Sequence, residues 1–257
     1  MLASMTLSSS PASRSGQLDG GTNASKAWPT ACANCHLRNV CLTRELAESV
    51  DPEFQHLILS HRRVKAGQAV YRTGDSFSSV YLLKIGFVKT LALLEDGREQ
   101  VSAFYMPGDT FGIDGVASGK HASDAIALED VDVCVIAYDN LERVGLATPA
   151  AQRSVYRMFS QEIVRRQESV AVLSEMSAEQ RVATFLIDLS RRFSARGLSS
   201  SEFLLRMTRE EIGSLLGLKL ETVSRVFSKL HIDGLVHVDG KHVRIVSTAG
   251  LRKLFSH

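Results

Sequence analysis

The sequence predicts an α+β chain: an amino-terminal β-roll of short strands, one long helix, and a carboxy-terminal winged helix-turn-helix. Three observations predict it. Between Val64 and Ile136, apolar runs of strand length are separated by turn residues. From Pro149 to about Ser174 the apolar spacing becomes helical. Beyond Thr208, two short amphipathic segments meet at a glycine and are followed by a hairpin signal.

Residues 1–30 hold Ser8, Ser9, Ser10, Gly20 and Gly21 and no continuous apolar stretch, so a disordered leader is expected rather than a secretory signal. Residues 31–148 form the next unit, a cysteine-bearing segment followed by the roll. Its strands are expected at Ala69–Tyr71, Val80–Lys84, Phe87–Leu93, Gln100–Tyr105 and Val131–Ala137. Gly74-Asp75, Asp96-Gly97 and Pro107-Gly108-Asp109 supply turns, and Gly86, Gly97, Gly108 and Gly119 recur every eleven residues.

Residues 149–175 form the long helix. Tyr156, Phe159, Ile163, Arg166, Val170 and Leu173 are spaced alternately three and four apart, the seam of a two-helix coiled coil, so a homodimer is expected. A single helix lying on its own roll is the other reading. A buried Arg166 needs a partner, for which Glu162 one turn earlier is the candidate; snorkelling to the rim is the alternative.

Residues 176–257 form the last unit. Met176–Phe193 is amphipathic through Val182, Phe185, Leu186 and Leu189. Thr208-Arg209-Glu210-Glu211 is a capping box that starts a helix carrying Ile212, Leu215 and Leu216. Gly217-Leu218 turns the chain into a second helix, Leu220–His231, whose inner face is Val223, Val226, Phe227 and Leu230. Asp239-Gly240 between Leu235–Val238 and His242–Val246 makes the wing.

The net charge of +2 hides a split. Residues 177–257 hold 13 Lys and Arg against 8 Asp and Glu, a net +5, which leaves −3 for the remainder. A basic helix-turn-helix points to double-stranded DNA. On the second helix Glu221, Thr222, Ser224 and Arg225 face outward: Arg225 is suited to guanine, Glu221 to cytosine N4, and Ser224 to a base edge or phosphate. Lys219, Lys229, Lys241 and Arg244 are placed for phosphates. No apolar run approaches the roughly 18 residues of a membrane span, and a cytoplasmic protein is expected. The chain has no phosphate loop or nucleophile elbow, and His56, His61, His121 and His237 have no ligand spacing, so no enzyme is expected.

Four cysteines in a reducing compartment are ligands or reactive thiols rather than disulfides. Cys32, Cys35 and Cys41 cluster, and Cys134 stands apart. The residues alone leave open an iron–sulfur cluster, zinc or bare thiols.

Over roughly residues 30–250 the chain resembles the Crp/Fnr family of bacterial transcription regulators, and within it the oxygen-responsive iron–sulfur branch. Cys32-Ala33-Asn34-Cys35-His36-Leu37-Arg38-Asn39-Val40-Cys41 resembles that branch's Cys-x2-Cys-x5-Cys, with Cys134 matching the remote fourth ligand. Glu221-Thr222-Val223-Ser224-Arg225 is similar to its recognition motif, and Ala178–Arg181 through Leu189–Phe193 to its hinge and linker helix. The resemblance implies a cyclic-nucleotide-binding-like β-roll and a dimerisation helix. It implies one [4Fe-4S] cluster per chain on Cys32, Cys35, Cys41 and Cys134, lost in oxygen, and a dimer that binds a palindrome of TTGAT-type half-sites. It also implies that the turn Leu94–Glu99, with Gly97 and Arg98 at its tip, touches RNA polymerase; a solvated hairpin tip is the plainer reading.

Two departures stand out. Ala122-Ser123 occupies the place of the Arg-Ser pair that holds a cyclic phosphate, so no cyclic nucleotide is expected. Arg166 replaces an acidic residue whose repulsion keeps the cluster-free protein monomeric, so Arg166 is expected to control dimerisation with the opposite sign.

Overall fold

The computed structural model describes residues 58–255 together with Cys35, Leu37 and Cys41; side chains are described for all of these except 58, 59 and 168–175. The expected leader and Cys32 lie outside the described residues, as do the side chains of Val170 and Leu173. The chain runs β1 (Ile58–Val64), β2 (Ala69–Tyr71), β3 (Ser79–Ile85), β4 (Val88–Leu93), β5 (Glu99–Tyr105), β6 (Thr110–Phe111), β7 (Asp124–Ala127) and β8 (Val131–Ala137). It continues through α1 (Tyr138–Ala147), α2 (Pro149–Glu175), α3 (Ala178–Ser194), β9 (Glu202–Leu204), α4 (Arg209–Leu216), α5 (Leu220–Ile232), β10 (Val236–Asp239), β11 (His242–Ile245) and α6 (Thr248–Lys253). No helix among the described residues is long and apolar enough to cross a membrane.

Two antiparallel sheets, ordered β1-β8-β3-β6 and β2-β7-β4-β5, form the roll. Because strand residues alternate between faces, β3 and β8 serve two cores. Tyr81, Leu83, Val131 and Val133 point between the sheets, packing with Val88 and Phe111. Val80, Leu82, Cys134 and Ile136 point outward, beneath Leu141 of α1 and Met158 of α2. The recurring turn glycines Gly86, Gly97, Gly108 and Gly119 all have positive φ. At Gly86 a methyl group would also stand 2.7 Å from Val131 Cγ1 and 2.8 Å from Asp130 O, so that tight turn admits no side chain.

The third core joins the winged domain to the roll. Val101 and Phe104 on the outer face of β5, with Met106 just after it, pack with Phe185, Leu186 and Leu189 of α3 and with the inner faces of α4 and α5. Each large side chain buried there contributes about 1.5–3 kcal/mol.

The long helix begins at Pro149, with Thr148 Oγ1 accepting the Ala151 N–H at 3.1 Å, as a proline-started, threonine-capped helix should. Six of these elements were not expected from the sequence, β6 and α6 among them. β1 carries His61-Arg62-Arg63 on a sheet edge, and β7 and β9 are only 4 and 3 residues long. α1 starts after Ala137 with no side-chain cap.

Candidate functional site

The reading surface is built by α4, α5 and the wing. Thr208 Oγ1 accepts the Glu211 N–H at 3.1 Å and Glu211 Oε2 accepts the Thr208 N–H at 2.7 Å, closing the expected capping box. Gly217 at φ 62° ends α4, and the chain re-enters helix at Leu220. Val223, Val226, Phe227 and Leu230 are buried, which fixes the rotation of α5 and leaves Lys219, Glu221, Ser224 and Arg225 exposed with Thr222 beside them. Lys241 and Arg244 are exposed on the wing.

The crossing of α4 and the turn is close. A methyl at Gly213 would stand 2.5 Å from Leu218 O and 3.4 Å from Val223 Cγ2. Gly213→Ala is expected to cost about 1–3 kcal/mol through this overpacking, read as a lower midpoint in thermal unfolding.

Lys229, expected as a phosphate contact, is exposed, and its Nζ pairs with Glu179 Oε1 at the start of α3, a pair that raises the lysine pKa. Arg209, which sequence reasoning passed over, lies with Cζ 3.5 Å above the Phe227 ring and donates to Gly240 O at 3.2 Å, tying the start of α4 to the wing tip. Its only sequence signal is its place next to the Thr208 cap.

Among the described residues the reading head is latched to the roll at three points, one of them the Arg206–Glu129 pair at 3.1 Å. Lys89 Nζ on β4 meets Glu211 Oε1 at 2.8 Å, and the Val101 N–H donates to Ser214 Oγ at 2.9 Å. The third latch is Asp109, only 7% exposed, in the turn after β5. Its carboxylate accepts from Arg192 of α3 and, at 2.6 Å, from Arg196 in the turn after it, from Arg165 of α2 at 3.2 Å, and from the Met106 N–H at 2.8 Å. Burial works to raise its pKa, but Arg192, Arg165 and Arg196 together hold it below the usual carboxylate value. In the sequence Asp109 reads only as a turn residue.

On α2, Tyr156 and Ile163 are 62% and 57% exposed, and Val164 lies beside them. Phe159 leans onto the core beneath α1 and α2. Arg166 bonds Glu162 Oε1 at 3.1 Å, the expected partner, but the pair turns toward the roll. There it lines a cavity of about 330 Å³ with Tyr71, Ser102, Tyr105 and Asp114. The Tyr105 hydroxyl donates to the same Glu162 oxygen at 2.8 Å; burial and that carboxylate raise its pKa, so the phenol keeps its proton. At the cassette position, Asp114 accepts from Ser123 Oγ at 2.7 Å and from the Ala122 N–H at 3.0 Å, and faces His121 Nδ1 at 3.0 Å. Gly97 and Arg98 sit at the exposed β4–β5 tip, where Arg98 pairs with Asp96.

Cys41 and Cys134 are buried and Cys35 half-buried in one apolar core with Leu37, Leu82, Leu141 and Met158. Among the described residues no three His, Cys, Asp or Glu side chains converge closely enough to hold a metal ion. The fit to a cluster is therefore one of donor type and neighbourhood: soft thiol donors in one apolar core. His61 Nδ1 lies 3.6 Å from Cys134 Sγ and 3.8 Å from Asp132 Oδ1. Both neighbours address the same ring nitrogen, so these three do not form a nucleophile, base and orienting acid, which needs the two nitrogens to act separately.

Residues 61–146 match the cyclic nucleotide-binding domain family and residues 180–254 the Crp-like helix-turn-helix domain family. The transcriptional activator protein FnrA of Stutzerimonas stutzeri is 38% identical over 86% of this chain and 90% of its own length. The anaerobic regulatory protein of Haemophilus influenzae is 36% identical over 87% of both. Among solved structures, FixK2 from Bradyrhizobium japonicum superposes with a TM-score of 0.69 at 31% identity, covering 76% of this chain and 96% of that one.

Proposed function

This chain belongs to the Crp/Fnr family of DNA-binding transcription regulators, and we propose that it is an oxygen-responsive member, holding one [4Fe-4S] cluster on Cys32, Cys35, Cys41 and Cys134. The observation that carries this reading is that Cys35 and Cys41, ahead of the roll, meet Cys134 of β8 in a single apolar core under α2. A cluster bound there would supply a four-thiolate centre that oxygen destroys. The name of the Haemophilus relative, an anaerobic regulatory protein, supports the same reading.

The chain's own residues supply the rest. Met158 and Phe159 of α2 rest on the cysteine core, while Tyr156, Ile163 and Val164 are exposed on α2, the face proposed for the second subunit. The packing that ties Cys35 and Cys41 to β8 therefore bears directly on the helix that forms the dimer. Two copies would then present two α5 helices to the TTGAT-type half-sites of a palindrome about 34 Å apart. Arg166, paired with Glu162, is the proposed control on that assembly, and the Gly97–Arg98 tip the proposed RNA polymerase contact. The protein acts in the cytoplasm and performs no catalysis in this reading.

Anaerobic reconstitution followed by air exposure tests it. A brown protein with about four iron per chain, dimeric and bound tightly to operator DNA, is expected, with all three properties lost in air and none gained in Cys134→Ser. A colourless zinc protein that binds DNA equally in air overturns the reading.

A further inference from the structure

His61 and Cys134 are direct partners in the β1–β8 ladder, and opposed residues of an antiparallel pair leave the sheet on the same side. Asp132, two residues before Cys134, shares that side. His61 Nδ1 thus stands between a sulfur at 3.6 Å and a carboxylate oxygen at 3.8 Å. Asp132 Oδ1 is buried and has no hydrogen-bond partner among the described residues, and its other oxygen faces Lys84 Nζ at 3.6 Å. With Cys134 as a ligating thiolate, that ring nitrogen faces two acceptors and so is the one that carries the hydrogen.

We propose that His61 donates its Nδ1–H to the sulfur of Cys134 and thereby sets how long that thiolate holds its metal in air. This rests on the cluster reading above. A hydrogen bond to a ligating sulfur withdraws electron density from it, which raises the potential of the centre and makes its oxidation harder. The Asp132 carboxylate, 3.8 Å from the same nitrogen, favours the donating tautomer through its charge rather than through a hydrogen bond. His61 is not a ligand here; it is a positioning residue, and its polar hydrogen is what matters.

Wild-type full-length protein, His61→Leu and His61→Asn are reconstituted anaerobically, and three quantities are read: iron per chain, midpoint potential, and the rate at which the visible absorbance disappears in air. Asn places an amide N–H near the position of Nδ1, whereas Leu keeps bulk without a donor. We expect equal iron in all three, a lowered potential and loss on the order of tenfold faster for Leu, and near wild-type behaviour for Asn. Equal rates for Leu and wild type with full iron overturn the role of His61 and leave the cluster standing. Loss from Asn as fast as from Leu also overturns it, since position rather than the donated hydrogen would then matter. Wild-type protein that takes up no iron overturns the cluster reading itself, and this proposal with it.

Discussion

Asp109→Asn lowers the stability of the chain by about 3–5 kcal/mol, the usual cost of removing one partner from a buried charge network. Three guanidiniums converge on that carboxylate, one from α3, one from the turn after it and one from α2. The amide keeps the volume but leaves the arginines facing one another. For a chain of this size the melting temperature should fall by about 10 °C. Because Arg192 and Arg196 belong to the winged domain, the same variant should loosen its seat on the roll, read as faster proteolysis in the loop after α3. Asp130→Asn, which removes an exposed pair with Lys65, should change nothing measurable. The acid limb carries the same signature. Asp109 titrates lower in the fold than in the unfolded chain, where its pKa is about 3.9. Its contribution is complete above that value and disappears as pH falls through the folded pKa, so Asp109→Asn should show a shallower loss of stability below about pH 4.

Arg225→Ala weakens binding to the specific palindrome by about 10- to 100-fold per half-site, the equivalent of one bidentate guanine contact at about 1–3 kcal/mol. Arg225 is exposed on the outer face of α5, its Nη2 3.5 Å from Thr222 Oγ1, a contact too long to compete with a base. The loss should be confined to specific DNA. Lys241→Ala should instead weaken specific and scrambled duplexes alike and reduce the salt slope by about one. Lys229→Ala should do less than either, because Glu179 already holds that charge. Fluorescence anisotropy against both duplexes over a salt series separates the three. Equal loss on both duplexes for Arg225→Ala would make it a phosphate contact.

The winged domain and five strands of the roll were legible because their signals are local. Thr208 and Glu211 cap each other within one turn, Gly217 and Gly240 adopt the positive φ their turns need, and β8 is apolar at every position but Asp132. β1 was not legible, since an edge strand has little need of apolar alternation and this one is strongly basic. α1 was missed for lack of a cap. The sites show the same division. The outward residues of α5 follow from helical periodicity, whereas the Asp109 latch joins residues 56 to 87 positions apart. His61 opposes Cys134 only through strand register, which no spacing along the chain reveals. Arg166 was placed in a seam by its period, but a charged side chain follows its partner, and Glu162 turns it toward Tyr105.

The β4–β5 hairpin has a stem and a tip with separate duties. Lys89 and Val101 in the stem grip Glu211 and Ser214 of α4, while Gly97 and Arg98 are exposed at the tip, Arg98 paired with Asp96. The hairpin is therefore a ruler. Whatever is bound at the tip and whatever DNA lies against α5 are kept a set span apart, roughly 15–20 Å of extended chain. Glu211 also closes the first turn of α4, so loosening the stem would blunt the very helix end that the ruler positions.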